Sequence, residues 1–124
     1  MCGNCVLIPR EVVQLVGNLD GNYRHRWGDT DYGLRAREKG CQVWVASEYV
    51  GECESNELAE AWTDATLSFW ERVKIFHSIK GYHKQDWYHY VKRHGGWLWF
   101  LLWIKPYFDM FTTSCLRTFQ LKKK

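Results

Sequence analysis

The stretch that decides how the first half of this chain folds is Trp27-Gly28-Asp29-Thr30-Asp31-Tyr32-Gly33-Leu34-Arg35-Ala36-Arg37. Its pattern predicts a helix, because Asp29 or Thr30 can cap the start and Gly40 can close the end. Asp31 then lies in the first turn, and Arg35 follows it by four residues. That spacing places the two side chains on one helix face, in the favourable order for an ion pair.

Two short segments on either side of this helix predict β-strands. Residues 5–8 form an apolar run that ends at Pro9, and a short helix is expected over residues 10–16. Residues 42–46 alternate, with Val43 and Val45 on one side and Trp44 on the other. The sequence therefore predicts a few short strands around the helix.

The remainder of the chain has the spacing of about three helices. The first carries apolar residues at positions 69, 73 and 76 and ends near Gly81, and the second ends at Gly95 and Gly96. The third begins at Trp97, and we expect Pro106 to interrupt it, because proline removes a backbone donor and clashes with the preceding turn. The predicted fold is α+β and helix-rich, with residues 1–64 as the strand-containing part and residues 65–124 as a helical, aromatic-rich basic tail.

Charge is distributed unevenly between these two parts. Residues 1–64 hold 6 Lys or Arg and 11 Asp or Glu, a difference of −5, whereas residues 65–124 hold 11 and 3, a difference of +8. A basic second part can face phosphates, an anionic membrane surface or the acidic first part. We expect no nucleic-acid partner, because no recognised motif accompanies the charge.

Cysteine usage and hydropathy indicate a cytoplasmic protein. The five cysteines are an odd number without the dense spacing of a secreted disulfide scaffold. Cys2 and Cys5 form one CxxC, but no second ligand pair follows, so no structural zinc is expected. The N-terminus lacks the features of a signal peptide, and the longest apolar run, from Trp97 to Ile104, is too short to cross a bilayer.

Three motifs resemble, in order and spacing, the family 2 glycosyltransferases with a GT-A fold. They are the segments at residues 3–10, at residues 16–20 and at residues 27–37. The resemblance implies that Gly3 and Asn4 lie on the donor side and that the acidic motif opens a helix at the acceptor site. That motif is usually Glu-Asp-x-Asp followed by Leu-x-Arg, whereas here Gly28 replaces the Glu and Leu34 adjoins Arg35. This variant resembles the members that act on cell-surface polysaccharides.

The resemblance implies roles for four residues of the acidic motif. Asp29 is the catalytic base that removes the proton of the acceptor hydroxyl, and Trp27, Asp31 and Arg35 bind the acceptor. Each has a simpler alternative from the residues alone: Asp29 is an ordinary helix cap, Asp31 and Arg35 pair with each other, and Trp27 is a core aromatic. A carboxylate at a helix N-terminus suits a base, because the helix dipole favours its charged form.

The family's nucleotide-binding half is not found in this sequence. No Asp-x-Asp precedes the first motif, and Asp29 and Asp31 occupy the acceptor position rather than the metal site. We therefore expect a fragment that holds no cofactor itself, is inactive alone and requires an N-terminal half that binds the sugar nucleotide with Mn²⁺ or Mg²⁺.

The expected partners are that half, a saccharide or lipid-linked acceptor and, as open options, a second copy of the chain or the inner membrane face. An alternative from another class is a membrane-surface or protein-interaction module without catalysis, which would use the aromatic basic tail.

Overall fold

The structure is a computed structural model that describes residues 5–24, 26–52, 61–79 and 81–121, with side chains up to residue 115. The chain divides into two compact units, residues 1–55 and residues 56–124. Within the described ranges the helices are α1 (Arg10–Val16), α2 (Gly28–Glu38), α3 (Phe69–His77), α4 (Lys84–His94) and α5 (Trp99–Leu121), with short 3₁₀ turns at Ala61–Thr63 and Gly96–Leu98.

The described residues contain no β-strand, so the predicted α+β class is wrong and the described fold is helical. Both segments predicted as strands, at residues 5–8 and 42–46, lie outside regular structure. Alternation of side chains creates a face to bury, but a strand also needs a neighbour for its backbone N–H and C=O groups. Neither segment pairs with another in the described chain, and Trp44 and Val45 are 82% and 94% exposed.

The helix α2 forms where the sequence predicts it, but it begins differently. Its N-cap is Trp27, which makes no side-chain cap and has a φ of 74°, so the predicted cap at Asp29 or Thr30 is wrong. Asp29 instead lies inside the first turn. The C-terminal prediction is confirmed, because Gly40 has a φ of 83°, its N–H donates to Arg37 at 2.9 Å, and the N–H of Cys41 donates to Ala36 at 2.9 Å. These two bonds satisfy the last carbonyls of the helix.

In the second unit, α3 begins with a capping box that fixes its first turn. The Ser68 hydroxyl accepts from the backbone N–H of Glu71, and the Glu71 carboxylate accepts from the backbone N–H of Ser68 at 2.9 Å. These hydrogen bonds hold the pKa of the Glu71 carboxyl below its ordinary value. The pair satisfies backbone donors that a helix start otherwise leaves without partners.

The core of this unit is aromatic and surrounds the fully buried Phe76. Its ring stacks on Tyr82, with ring centres 4.8 Å apart, and meets the edges of Trp62 and Tyr107 at 5.4 Å each. Trp62 belongs to the 3₁₀ turn at Ala61–Thr63, which packs on α3. This turn therefore lies in the second unit, although the division after residue 64 places it in the first part.

The helix α5 continues through Pro106 to Leu121, so the predicted interruption is wrong. Pro106 and Met110 are buried on its inner side. Proline in a helix costs about 3 kcal/mol through its missing hydrogen bond and its ring. Burial of the proline ring and of a whole methionine side chain offsets a cost of that size, at about 1.5–3 kcal/mol for each large apolar side chain. Across the described chain, no helix is both long enough and apolar enough to pass through a membrane.

Candidate functional site

The acidic motif at the start of α2 places its second carboxylate in the interior of the first unit. Asp31 is fully buried, and its Oδ2 accepts a hydrogen bond from Arg35 Nε at 2.8 Å. Its Oδ1 accepts from the hydroxyl of Tyr23 at 3.2 Å. The predicted ion pair between Asp31 and Arg35 is confirmed. Both carboxylate oxygens therefore have partners within the protein, as a buried charge requires.

Arg35 joins α2 to the chain that follows α1. Besides its bond to Asp31, it donates from Nη1 to the carbonyl of Val16 and from Nη2 to the carbonyl of Asn18, each at 3.0 Å. Its guanidinium also lies 5.2 Å from the ring centre of Tyr32. The planar fork of arginine can make several such bonds at once, which lysine cannot. Arg35 thus holds together two segments that are far apart in sequence.

Asp29 has a different environment from Asp31, although only one residue separates them. Asp29 is partly exposed, and its Oδ1 accepts a hydrogen bond from the backbone N–H of Thr30 at 2.8 Å. No described residue donates a hydrogen bond to its Oδ2. One oxygen is therefore held by the first turn of α2, and the other has no hydrogen-bond donor among the described residues.

Trp27 lies directly before α2 in a left-handed conformation that residues other than glycine adopt rarely. Its side chain is half-buried, and the guanidinium of Arg26 lies 5.9 Å from its ring centre. Strained backbone of this kind is concentrated at functional sites, although it does not identify one. The predicted donor-side residues Gly3 and Asn4 lie outside the described residues.

A groove that the sequence interpretation missed runs along another face of α2. It has a volume of about 560 Å³, within the range of small-ligand sites. It is lined by Thr30, Gly33, Leu34 and Arg37 from α2 and by Cys41, Gln42, Val43 and Trp44 from the segment after it. The four residues from α2 are spaced so that they share one helix face, and this spacing is visible in the sequence. Asp29 does not line the groove, but the backbone N–H of Thr30, which does, donates to Asp29 Oδ1.

The second unit contains a pair of partly buried titratable groups between α3 and α5. His77 Nε2 and the hydroxyl of Tyr107 are 2.9 Å apart. Burial, followed by the positive charges of Lys84 and His83, lowers the pKa of His77, and burial raises the pKa of Tyr107. The neutral forms of both groups are therefore favoured.

A second histidine, His83, is oriented by the buried carboxylate of Asp86. Its Nδ1 lies 2.7 Å from Asp86 Oδ1 at the start of α4. His83 has a φ of 46°, which is unusual for a residue with a side chain. Among the described residues, no three Cys, His, Asp or Glu side chains group closely enough to hold a metal ion. His83 is the N-cap residue of α4, but its side chain makes no cap hydrogen bond.

The chain was compared with protein-family models, with curated protein sequences and with solved structures, and none of them matched it. Assignment of a function therefore depends on the motif residues and on the geometry of α2.

Proposed function

We propose that this chain is the acceptor-side part of a glycosyltransferase that moves a sugar from a nucleotide donor to a saccharide or lipid-linked acceptor. The proposed setting is the cytoplasm, in the synthesis of cell-surface polysaccharide. The observation that carries the proposal is the different use of the two carboxylates in the acidic motif. Asp31 is buried and paired with Arg35, whereas Asp29 keeps one oxygen for a ligand at the start of a helix.

This arrangement supports a single-base mechanism. Inverting transfer forms a bond between the acceptor oxygen and the anomeric carbon while the bond from that carbon to the nucleotide diphosphate breaks. The proton of the acceptor hydroxyl must leave in the same step, and Asp29 Oδ2 is the group that takes it. The hydrogen bond from Thr30 to the other oxygen fixes the direction in which the carboxylate points.

The groove beside Asp29 suits a sugar acceptor. Thr30, Arg37 and Gln42 offer hydroxyl, guanidinium and amide groups for hydrogen bonds to sugar hydroxyls. Trp44 is 82% exposed at the groove, and its flat indole matches the apolar face of a pyranose. Stacking on an acceptor sugar therefore suits Trp44 better than Trp27, the ring of which is already half-buried.

A divalent metal is implied for the complete enzyme, but the described residues of this chain do not form its site. The oxygens of Asp31 already accept hydrogen bonds from Arg35 and Tyr23, which leaves Asp29 as the accessible carboxylate of the motif. One carboxylate is too few for a protein site for Mg²⁺ or Mn²⁺ without further ligands. The proposal therefore assigns the metal and the donor diphosphate to the nucleotide-binding half.

The test is made on the longest reading frame that contains this chain. Asp29→Asn should lower the transfer rate by roughly two to four orders of magnitude, because the proton acceptor is lost. Donor binding and the melting temperature should change little, since the amide oxygen of Asn can still accept from Thr30. Asp31→Asn is the matched control and should mainly lower stability. If Asp29→Asn keeps more than about a third of the rate, the barrier has changed by less than about 1 kcal/mol and Asp29 is not the base.

A further inference from the structure

Six large apolar side chains form one exposed face of the segment that contains α5. Trp97 is the most exposed, at 85%, and Phe108 follows at 63%. These side chains form the α5 apolar face, which consists of Trp97, Phe100, Leu101, Ile104, Phe108 and Phe111. Within α5, Phe100, Ile104, Phe108 and Phe111 follow one another at intervals of three or four residues, which keeps them on one side of the helix. Leu101 adjoins Phe100, and Trp97 lies in the 3₁₀ turn before α5.

The opposite side of α5 already packs into its own unit. Pro106 and Met110 are buried there, and the backbone carbonyl of Trp103 accepts a bond from the indole N–H of Trp87. The α5 apolar face therefore points away from the core of the second unit, except at Phe111, whose ring meets that of Phe69 in α3 at 6.3 Å. With aromatic side chains of about 150–250 Å² each, it exposes roughly 700 Å², more than the largest apolar patch of a typical soluble monomer. A patch of that size marks a binding surface.

The chain from residue 65 onward carries an excess of positive charge. From Gly95 to Ile104 the sequence has no charged residue, and the next residue is Lys105, which pairs with Asp109. At the other end, Lys92 lies against Tyr88, whose ring meets the ring of Trp99 at 5.5 Å. Arg93 is exposed beside it. The residues from 65 onward carry 11 basic and 3 acidic side chains, a difference of +8.

We propose that the α5 apolar face docks the second unit on the surface of a bilayer that contains anionic lipids. A helix that lies in the interface needs a broad apolar side with Trp and Phe, and basic side chains nearby that reach the headgroups. Anionic headgroups attract each nearby Lys or Arg. A second copy of this chain would bring the same positive charge to the contact and would be repelled.

The α5 axis lies parallel to the membrane in this arrangement. Phe100 and Phe111 are 11 residues apart within α5, which is about 16 Å along the helix. Both enter the boundary between headgroups and acyl chains, and Lys92 and Arg93 stay at headgroup level. This surface belongs to the second unit, so it does not depend on Asp29 or on the proposed glycosyl transfer.

The experiment is co-sedimentation of the complete 124-residue chain with phosphatidylcholine vesicles, with and without phosphatidylglycerol. Binding should require the anionic lipid and should weaken at least about tenfold when salt rises from about 0.1 M to about 1 M, where the screening length falls from about 10 to about 3 Å. The double variant Trp97→Ser with Phe108→Ser should lower partitioning by at least about tenfold. Tyr49→Ser removes a fully exposed aromatic side chain from the other unit and should leave partitioning within about twofold.

Two controls keep the result specific. Circular dichroism of each variant checks that the helices remain, and light scattering on a sizing column without lipid measures self-association. The proposal is overturned if the chain does not bind anionic vesicles, or if the double variant binds as well as the parent. It is equally overturned if the chain is a dimer without lipid and the double variant is a monomer, because the face is then a contact between copies.

Discussion

Replacing Arg35 by Ala tests how the first unit is held together. Arg35 makes three hydrogen bonds at 2.8, 3.0 and 3.0 Å, one to the buried carboxylate of Asp31 and two to the carbonyls of Val16 and Asn18. The variant loses all three bonds at once. Asp31, which is fully buried, then loses the guanidinium that pairs with it.

The size of the effect follows from this burial. Removing one partner of a buried ion pair costs about 3–5 kcal/mol, because an uncompensated charge is left in the interior. The side chain of Arg35 is 20% exposed, so water reaches part of the pair. We therefore expect Arg35→Ala to lower the free energy of unfolding of this unit by about 3 kcal/mol, the lower end of that range. Arg35→Lys keeps the charge but not the planar fork, so it should lose about 1–2 kcal/mol through the missing bonds to the carbonyls.

Hydrogen exchange of the α2 amides, read by mass spectrometry, measures the free energy of opening in this unit alone. Arg35→Ala should accelerate exchange of residues 28–38 about 100-fold, since each 1.4 kcal/mol is a factor of ten. The matched control is Lys105→Ala in α5, which breaks an ion pair of the same spacing whose side chains are 66% and 46% exposed. It should change the free energy of opening of α5 by less than about 1 kcal/mol. If Arg35→Ala changes α2 by no more than this control, Arg35 does not join α1 to α2.

Two further outcomes concern the second unit. The pKa of His77 is lowered in the folded state, so the unfolded chain takes up the His77 proton first as the pH falls, and the stability contributed by neutral His77 is present above about pH 6.5 and declines below it. Thermal melts from about pH 7 to 5 should show this loss of stability. His77→Gln should make the melting temperature less dependent on pH, and an unchanged pH dependence would refute the assignment. Gly81→Ala should lower the free energy of unfolding in urea by about 2–4 kcal/mol, because the added Cβ would lie 2.3 Å from the carbonyl oxygen of Ile75. The control Gly21→Ala should be nearly neutral, because no atom lies within 4 Å of its added Cβ. Equal stabilities of the two variants would contradict the packing at Gly81.

The helices were predictable because their signals are local. The motif at residues 27–37 carries its own pairing residues and is followed by a glycine stop, and α2 forms there with Gly40 in the left-handed conformation. The strands were not predictable from alternation, because a strand depends on a partner elsewhere in the chain. Pro106 was misjudged for a related reason. Its local penalty was visible in the sequence, whereas the burial of Pro106 and Met110 that offsets it was not.

In the candidate site too, contacts between residues distant in sequence were not predictable. The spacing of Asp31 and Arg35 predicted their ion pair, but not the bonds from Arg35 to Val16 and Asn18, which are 19 and 17 residues away in sequence. The groove needed the turn after α2 to bring Trp44 beside the helix. Sequence spacing therefore identified the helix face, and only the folded chain showed which side chains remain accessible on it.

The different environments of Asp29 and Asp31 bear on whether the motif suits glycoside hydrolysis or glycosyl transfer. Hydrolysis of a glycoside usually requires two carboxylates across the scissile bond, one as acid and one as base or nucleophile. Here Asp31 is buried, and its oxygens already accept bonds from Arg35 and Tyr23. Asp29 alone keeps an accessible oxygen, so the motif supplies one proton acceptor and no partner acid. Transfer from a nucleotide donor needs no protein acid from this motif, because the diphosphate is already a good leaving group. One accessible carboxylate in the motif is what the glycosyl transfer that we propose requires of it.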